Sequence, residues 1–268
     1  MSPETTALID GQRRRIRIPV WAFLLAVAVI ITGLLLILLY RKHSGLSAQM
    51  TSYSITIPTG DRNRFQLPDG REVWLNAASW LKYEAYPKSH YAKVEIIGEA
   101  WFPARGGDSL RLFIHTHNVD VDATNASLDI SEYPGDPNGK VSLFSGSALA
   151  FPTMRSALVK LSPGDKLIVP ALDPYCLDST VYSPQDTTYA EIAWVKNDLC
   201  FRDAALPDLV PTLQRWYGIK IDLKGPDQLG RKFSAWMADK GLGRTLATLQ
   251  QVQPFHYTID DQEVRITP

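Results

Sequence analysis

Hydrophobic residues follow three successive rules along the chain. Between Val20 and Tyr40 they are continuous: VWAFLLAVAVIITGLLLILLY carries no charge, and only Thr32 and Gly33 interrupt it. From Ile55 to Val169 they alternate with polar residues in short stretches separated by Pro, Gly, Asp and Asn. Beyond Ala190 alternation and helical spacing take turns. Each rule predicts a different kind of element.

At about 1.5 Å per residue, the first run forms a helix that spans the roughly 30 Å apolar core of a bilayer. Trp21 and Tyr40 lie near its two ends, where aromatic residues suit the membrane interfaces. A buried helix of a soluble domain is amphipathic, whereas this run is apolar all round. A cleaved signal peptide fits less well, because its apolar block is about 7–15 residues long. Arg41-Lys42-His43 follows the run, and Ser47-Ala48 is only a weak cleavage site. Arg13, Arg14, Arg15 and Arg17 precede the run, against Arg41 and Lys42 after it. The more basic flank stays in the cytoplasm, so the long C-terminal part is expected outside it.

In the second region Ile55/Ile57, Phe65/Leu67, Val73/Leu75, Val94/Ile96, Val119/Val121, Leu128/Ile130 and Val141/Leu143 alternate. Asp69-Gly70 is a hairpin signal, and breakers such as Pro134-Gly135 and Pro163-Gly164 recur. No sustained helical period occurs there, so an all-β domain is expected. Pro170, Pro174 and Pro184 mark a connector. Ile192, Trp194 and Leu199-Cys200-Phe201 then read as strand material. Leu206, Leu209, Val210, Leu213 and Trp216 fall at helical spacing, ended by Gly218, and Ile219, Ile221 and Leu223 alternate. The sequence repeats strand, helix and strand at Phe233–Met237, Leu242–Val252 and Phe255–Ile259, and a last strand holds Val264 and Ile266.

The expected fold is therefore a single transmembrane helix, an all-β domain and a small α+β C-terminal domain. Its divisions are a short cytoplasmic arm (1–19), the helix (20–40), a linker (41–54), the β domain (55–185) and the α+β domain (190–268).

Charge changes this picture little. The 28 basic and 28 acidic residues cancel, and no basic stripe marks a nucleic-acid surface. The two cysteines, Cys176 and Cys200, both fall on the exported side, where pairing and two unrelated thiols are each open. Catalytic signatures are missing. Ser145-Gly146-Ser147 lacks the second glycine of a nucleophile elbow, since Leu149 stands there. His115-Thr116-His117 with Asp120 and Asp122 places two imidazoles on one strand face, but no third ligand at defined spacing. Trp74, Trp80, Trp101, Trp194, Trp216 and Trp236 sit in apolar patterns, where core packing is the default over sugar stacking. No enzyme activity, cofactor or metal is expected.

One resemblance is specific. Pro58-Thr59-Gly60-Asp61-Arg62 followed by Leu67-Pro68-Asp69-Gly70-Arg71-Glu72-Val73-Trp74-Leu75-Asn76-Ala77-Ala78-Ser79 resembles the opening of a FecR-type domain. Gly98-Glu99-Ala100-Trp101-Phe102, Val141 to Ser147, Ala193 to Leu199 and Arg215-Trp216-Tyr217-Gly218-Ile219 are similar to later family segments. The chain thus resembles FecR-family transmembrane anti-sigma factors of the Bacteroidetes type.

That resemblance implies an inner-membrane, single-pass regulator of an extracytoplasmic-function sigma factor, embedded in lipid with its folded part in the periplasm. The sender it implies is the signalling domain of a TonB-dependent outer-membrane transporter. Leu206, Leu209, Leu213, Ile219 and Ile221 are the candidate partner-binding residues; alternatively, the leucines face the module's own core and an edge strand docks. Two departures stand out. About nineteen residues precede the helix, where typical members carry several cytoplasmic helices. Val121 to Leu128 lacks the glycine and phenylalanine of the family's G-T-x-F-N-V strand. A periplasmic binding or scaffold protein without sigma-factor binding is the alternative.

Overall fold

A computed structural model of the chain describes residues 19–44, 51–85, 91–104, 111–153, 157–171, 174–225, 232–239, 241–252, 254–260 and 263–267. The four arginines 13, 14, 15 and 17 lie outside the described residues, as does nearly all of the predicted arm.

Helix α1 (Val20–Ser44) contains the whole apolar run and continues four residues past Tyr40. Its hydrophobic side chains are exposed on every side, Trp21 at 67% and Leu36 at 66% among them. The stretch Val20–Leu39 is long and apolar enough to cross a membrane. Thr32 interrupts it at no cost, because its hydroxyl donates to the carbonyls of Ala28 (2.9 Å) and Val29 (3.0 Å) inside the helix.

The β domain begins earlier than the alternation suggests. Strand β1 (Thr51–Ile57) pairs over its full length with β4 (Ser79–Ala85). Between them β2 (Asn63–Gln66) and β3 (Glu72–Leu75) form the expected hairpin around Gly70, whose φ of 82° suits glycine. Strand β5 (Tyr91–Phe102) is the crossroads: it pairs with β3 and β4, runs parallel to β6 (Arg111–His115), and further along pairs with β7 (Val119–Glu132). Strand β8 (Asn138–Pro152) lies against β7, followed by β9 (Val159–Leu161), β10 (Asp165–Pro170) and β11 (Cys176–Ser179). This one sheet curves round a core in which inward residues such as Leu75, Ile96, Ile114, Ile130, Leu143 and Leu167 meet.

Two corrections concern continuity. The alternation breaks at Asn125–Ser127 and suggests separate strands, yet β7 runs through as one strand with a bulge. Asn125 takes a φ of 49° there, opposite Gly146 at 82°. A Cβ on Gly146 would stand 2.2 Å from the Asn125 carbonyl oxygen, so only glycine lets the two backbones approach. The predicted connector also contains structure: β11 extends the large sheet, and β12 (Tyr182–Ser183) and β13 (Thr188–Tyr189) form a small hairpin.

In the C-terminal part, Ile192 and Trp194 belong to a short 3-10 helix (Ala190–Lys196) instead of a strand. Three consecutive residues, Ile192, Ala193 and Trp194, are buried there, which a strand with one covered face does not do. Next come β14 (Asp198–Ala205), α2 (Leu206–Tyr217), β15 (Lys220–Leu223), β16 (Lys232–Ala238), α3 (Leu242–Val252), β17 (His256–Ile259) and β18 (Glu263–Thr267). The strand–helix–strand duplication is therefore real, but its halves interlock: β14 pairs with β16, while β15 and β17 flank β18. Pro207 falls in the first turn of α2, where no backbone N–H is needed, and Gly218 ends it with a left-handed φ of 64°. Pro211 is accommodated without ending the helix.

Candidate functional site

The residues predicted to bind a partner are occupied by the module itself. Leu206, Leu209, Leu213 and Ile221 are buried in a core with Phe201, Phe233, Leu246 and Ile266, and Ile219 packs against it. The apolar stripe of α2 thus faces inward. Both β15 and β17 are edge strands that pair only with β18 among the described residues, and on β17 Ile259 is 47% exposed.

The most elaborate chemistry lies where the C-terminal module covers the outer face of the large sheet. Register places Arg64, Trp74, Trp101, Asp129, Ser142 and Lys166 in one row across six strands. On an uncovered sheet these outward positions would be solvated. Here Trp74 and Trp101 pack against the module's core, their rings 6.3 Å apart. Lys166 reaches Glu191 at 3.3 Å. Asp129 is 3% exposed and faces the Trp194 indole, which falls short of hydrogen-bond geometry and leaves Asp129 Oδ1 and Trp194 Nε1 unpartnered.

A second row, Glu99, Ser131 and Lys140, runs beside the first. Glu99 retains some exposure as a residue, but its carboxyl is enclosed and accepts from the Asn76 amide. Burial pushes the Glu99 carboxyl up, opposed by Asn76, Lys140, Arg215 and Ser131. Asp129 is raised well above the usual carboxylate range, first by burial and then by the neighbouring charges of Glu99 and Glu191. Tyr133, whose hydroxyl donates to Ala77 O at 2.9 Å, is also raised by burial. Two carboxyls are thus enclosed under a docked module, and the nearby charges of Lys140 and Arg215 do not outweigh their burial. Such a contact holds a neutral pair of acids far better than a charged one.

At the end of this face, Arg215 of α2 makes two 2.9 Å hydrogen bonds to Asp136 and lies over Tyr133 at 3.8 Å. From the sheet side, Arg62 lies over Trp216 at 3.6 Å. None of these partnerships was legible from spacing. The available signal was the presence of large aromatics at outward strand positions, Trp74 and Trp101 above all.

The other candidate groups are accounted for locally. His115 Nδ1 lies 2.6 Å from Asp120 Oδ1, Asp122 is ion-paired with Arg111, and His117 is exposed. Among the described residues no three His, Cys, Asp or Glu side chains group as metal ligands. Ser145 to Ser147 lie within β8. Cys176 is exposed on β11 and Cys200 half-buried on β14, both as free thiols; burial pushes Cys200 up to about 11.

Sequence comparison decides the family. Residues 53–149 match the FecR protein model and residues 198–266 match the FecR C-terminal model, together well over half of the chain. The chain belongs to the FecR family. No curated protein matches it. Its fold is similar to the crystal structure of a candidate anti-sigma factor from Parabacteroides distasonis, with a TM-score of 0.70 and 22% identity over 80% of this chain and 98% of that one. A second structure of that description, from the same organism, gives 0.70 and 21% over 81% and 99%. The FecR model ends inside β8 and the C-terminal model begins at β14, so the region between them includes the 3-10 helix that carries Trp194 and Glu191.

Proposed function

We propose that this FecR-family chain is a single-pass inner-membrane regulator of an extracytoplasmic-function sigma factor. In this reading α1 crosses the bilayer with the arginine-rich N-terminal flank in the cytoplasm, and both folded parts are periplasmic. The sigma factor is bound on the cytoplasmic side. The signal comes from the periplasmic domain of a TonB-dependent outer-membrane transporter, docked on the free edge of β17 by strand pairing. The step is binding and a shift of population between states, with no bond broken.

The observation that carries this reading is the order of parts: one membrane-length apolar helix followed by both FecR-family regions. The similarity to a candidate anti-sigma factor over nearly the whole of that protein supports it. The test is capture of the sigma factor encoded beside this chain, using the intact chain and a version lacking residues 1–19. Capture by the intact chain alone is expected; no capture by the intact chain ends the regulator reading and favours a scaffold role.

A further inference from the structure

The last turn of α2 holds more than its own module. The Gly60 N–H donates to the backbone carbonyl of Arg215 at 2.8 Å. Gly60 and Gly218 lie so close that a Cβ on Gly60 would stand 3.8 Å from the Gly218 nitrogen. Beside that bond, two arginine–aromatic stacks cross in opposite directions. Arg62 extends from the sheet onto Trp216 of α2, and Arg215 extends from α2 onto Tyr133 of the sheet. The Arg215 guanidinium is fixed by its paired hydrogen bonds to Asp136. From within the module, Asp239 accepts from Trp216 Nε1 (3.2 Å) and the Tyr217 hydroxyl (2.9 Å). Residues 215–217 are therefore gripped on the sheet side and on the module side at once.

Gly60 and Arg62 belong to the turn that ends β1. Of the seven residues of β1, only Ile55 and Ile57 are buried, and both lie next to that turn. Thr51 to Ser54 are exposed, and β1 has β4 as its one strand partner among the described residues. Apart from the α2 contacts, the turn is tied down by the Ala78 N–H donating to Pro58 O at 3.1 Å. An edge strand with its buried residues at one end opens most readily when that end is freed. Strand β1 is also the first element of the folded part reached from α1.

We infer that the last turn of α2 is a clasp on the β1–β2 turn, and that loosening the C-terminal module releases β1 from the sheet edge. Strand β1 is thereby the element through which the state of the module reaches the N-terminal helix. The proposal extends the function above without depending on which partners bind.

Hydrogen–deuterium exchange of the full chain in detergent tests it, with Arg215→Gln and Asp136→Asn compared against the parent. The second variant lies outside the module, so it carries the test if the first impairs folding of the module. Losing charge-assisted hydrogen bonds is expected to speed exchange about tenfold or more in peptides spanning 51–57 and 58–62. Peptides of β6 and of β14 and β16 are expected to keep parent rates. Faster exchange at 58–62 with parent rates at 51–57 overturns the proposal. So do parent rates at 58–62 in both variants, or uniform acceleration across the whole sheet.

Discussion

Replacing Asp129 with asparagine removes a titratable carboxyl that the docked module encloses while keeping the side chain's shape. In the folded chain Asp129 holds its proton to a higher pH than it does unfolded, chiefly because burial disfavours the carboxylate. The folded state then binds more protons than the unfolded one, so stability falls as pH rises. The contribution is full below the unfolded carboxylate range near pH 4 and is lost as pH climbs towards the raised folded value. Within that window one group changes stability by about 1.4 kcal/mol per pH unit. Glu99 is raised by burial as well and adds a slope of the same sign. The acids lowered by their neighbours, Glu84, Asp222 and Asp239, act in the opposite sense but only below about pH 4.5. Urea unfolding at a series of pH values from 5 to 8 measures the net effect. The parent is expected to lose stability with rising pH, and Asp129→Asn to lose less per unit. Adding Glu99→Gln should flatten the profile further. A parent whose stability rises over this range, or an Asp129→Asn profile parallel to the parent's, refutes the reasoning.

Three other perturbations test separate parts of the structure. Gly146→Ala puts a methyl into the Asn125 backbone at a left-handed φ and is expected to destabilise the β domain by about 2–4 kcal/mol, measured by thermal unfolding. Phe233→Ala empties a fully buried site in the core of the C-terminal module, with an expected loss of about 3–5 kcal/mol and preferential proteolysis of that module. Ile30→Arg places a charge at the middle of α1 and should raise the cost of membrane insertion by about 3 kcal/mol, seen as a larger carbonate-extractable fraction.

Much of the fold was legible because local rules decided it. The apolar run could only be an all-round hydrophobic helix, and α2 was bounded by Pro207 and Gly218 at the positions where those residues are favoured. The Asp69-Gly70 hairpin followed from the same kind of local chemistry. What escaped was decided at a distance. The alternation of β7 fails at Asn125–Ser127 because a bulge adds a residue, and nothing local distinguishes a bulge from two strands. Alternation alone cannot mark Asp129 and Lys166 as covered positions, because their cover, Trp194 and Glu191, comes from the 3-10 helix at residues 190–196. The stripe Leu206, Leu209 and Leu213 shows the reverse ambiguity: spacing says that one face is apolar, but not whether it meets a partner or its own core.

The position of β18 has a consequence for the order of assembly. It is the middle strand of its sheet, parallel to β15 on one side and antiparallel to β17 on the other, and it comes last among the described strands. A ribosome delivers the large sheet first and this central strand after the other described strands of its module. The module cannot close until residues 263–267 have emerged, so until then the core that Val264 and Ile266 complete stands open. Removing β18 would leave both flanking strands without their shared neighbour, and emergence of this one strand becomes the step that licenses docking.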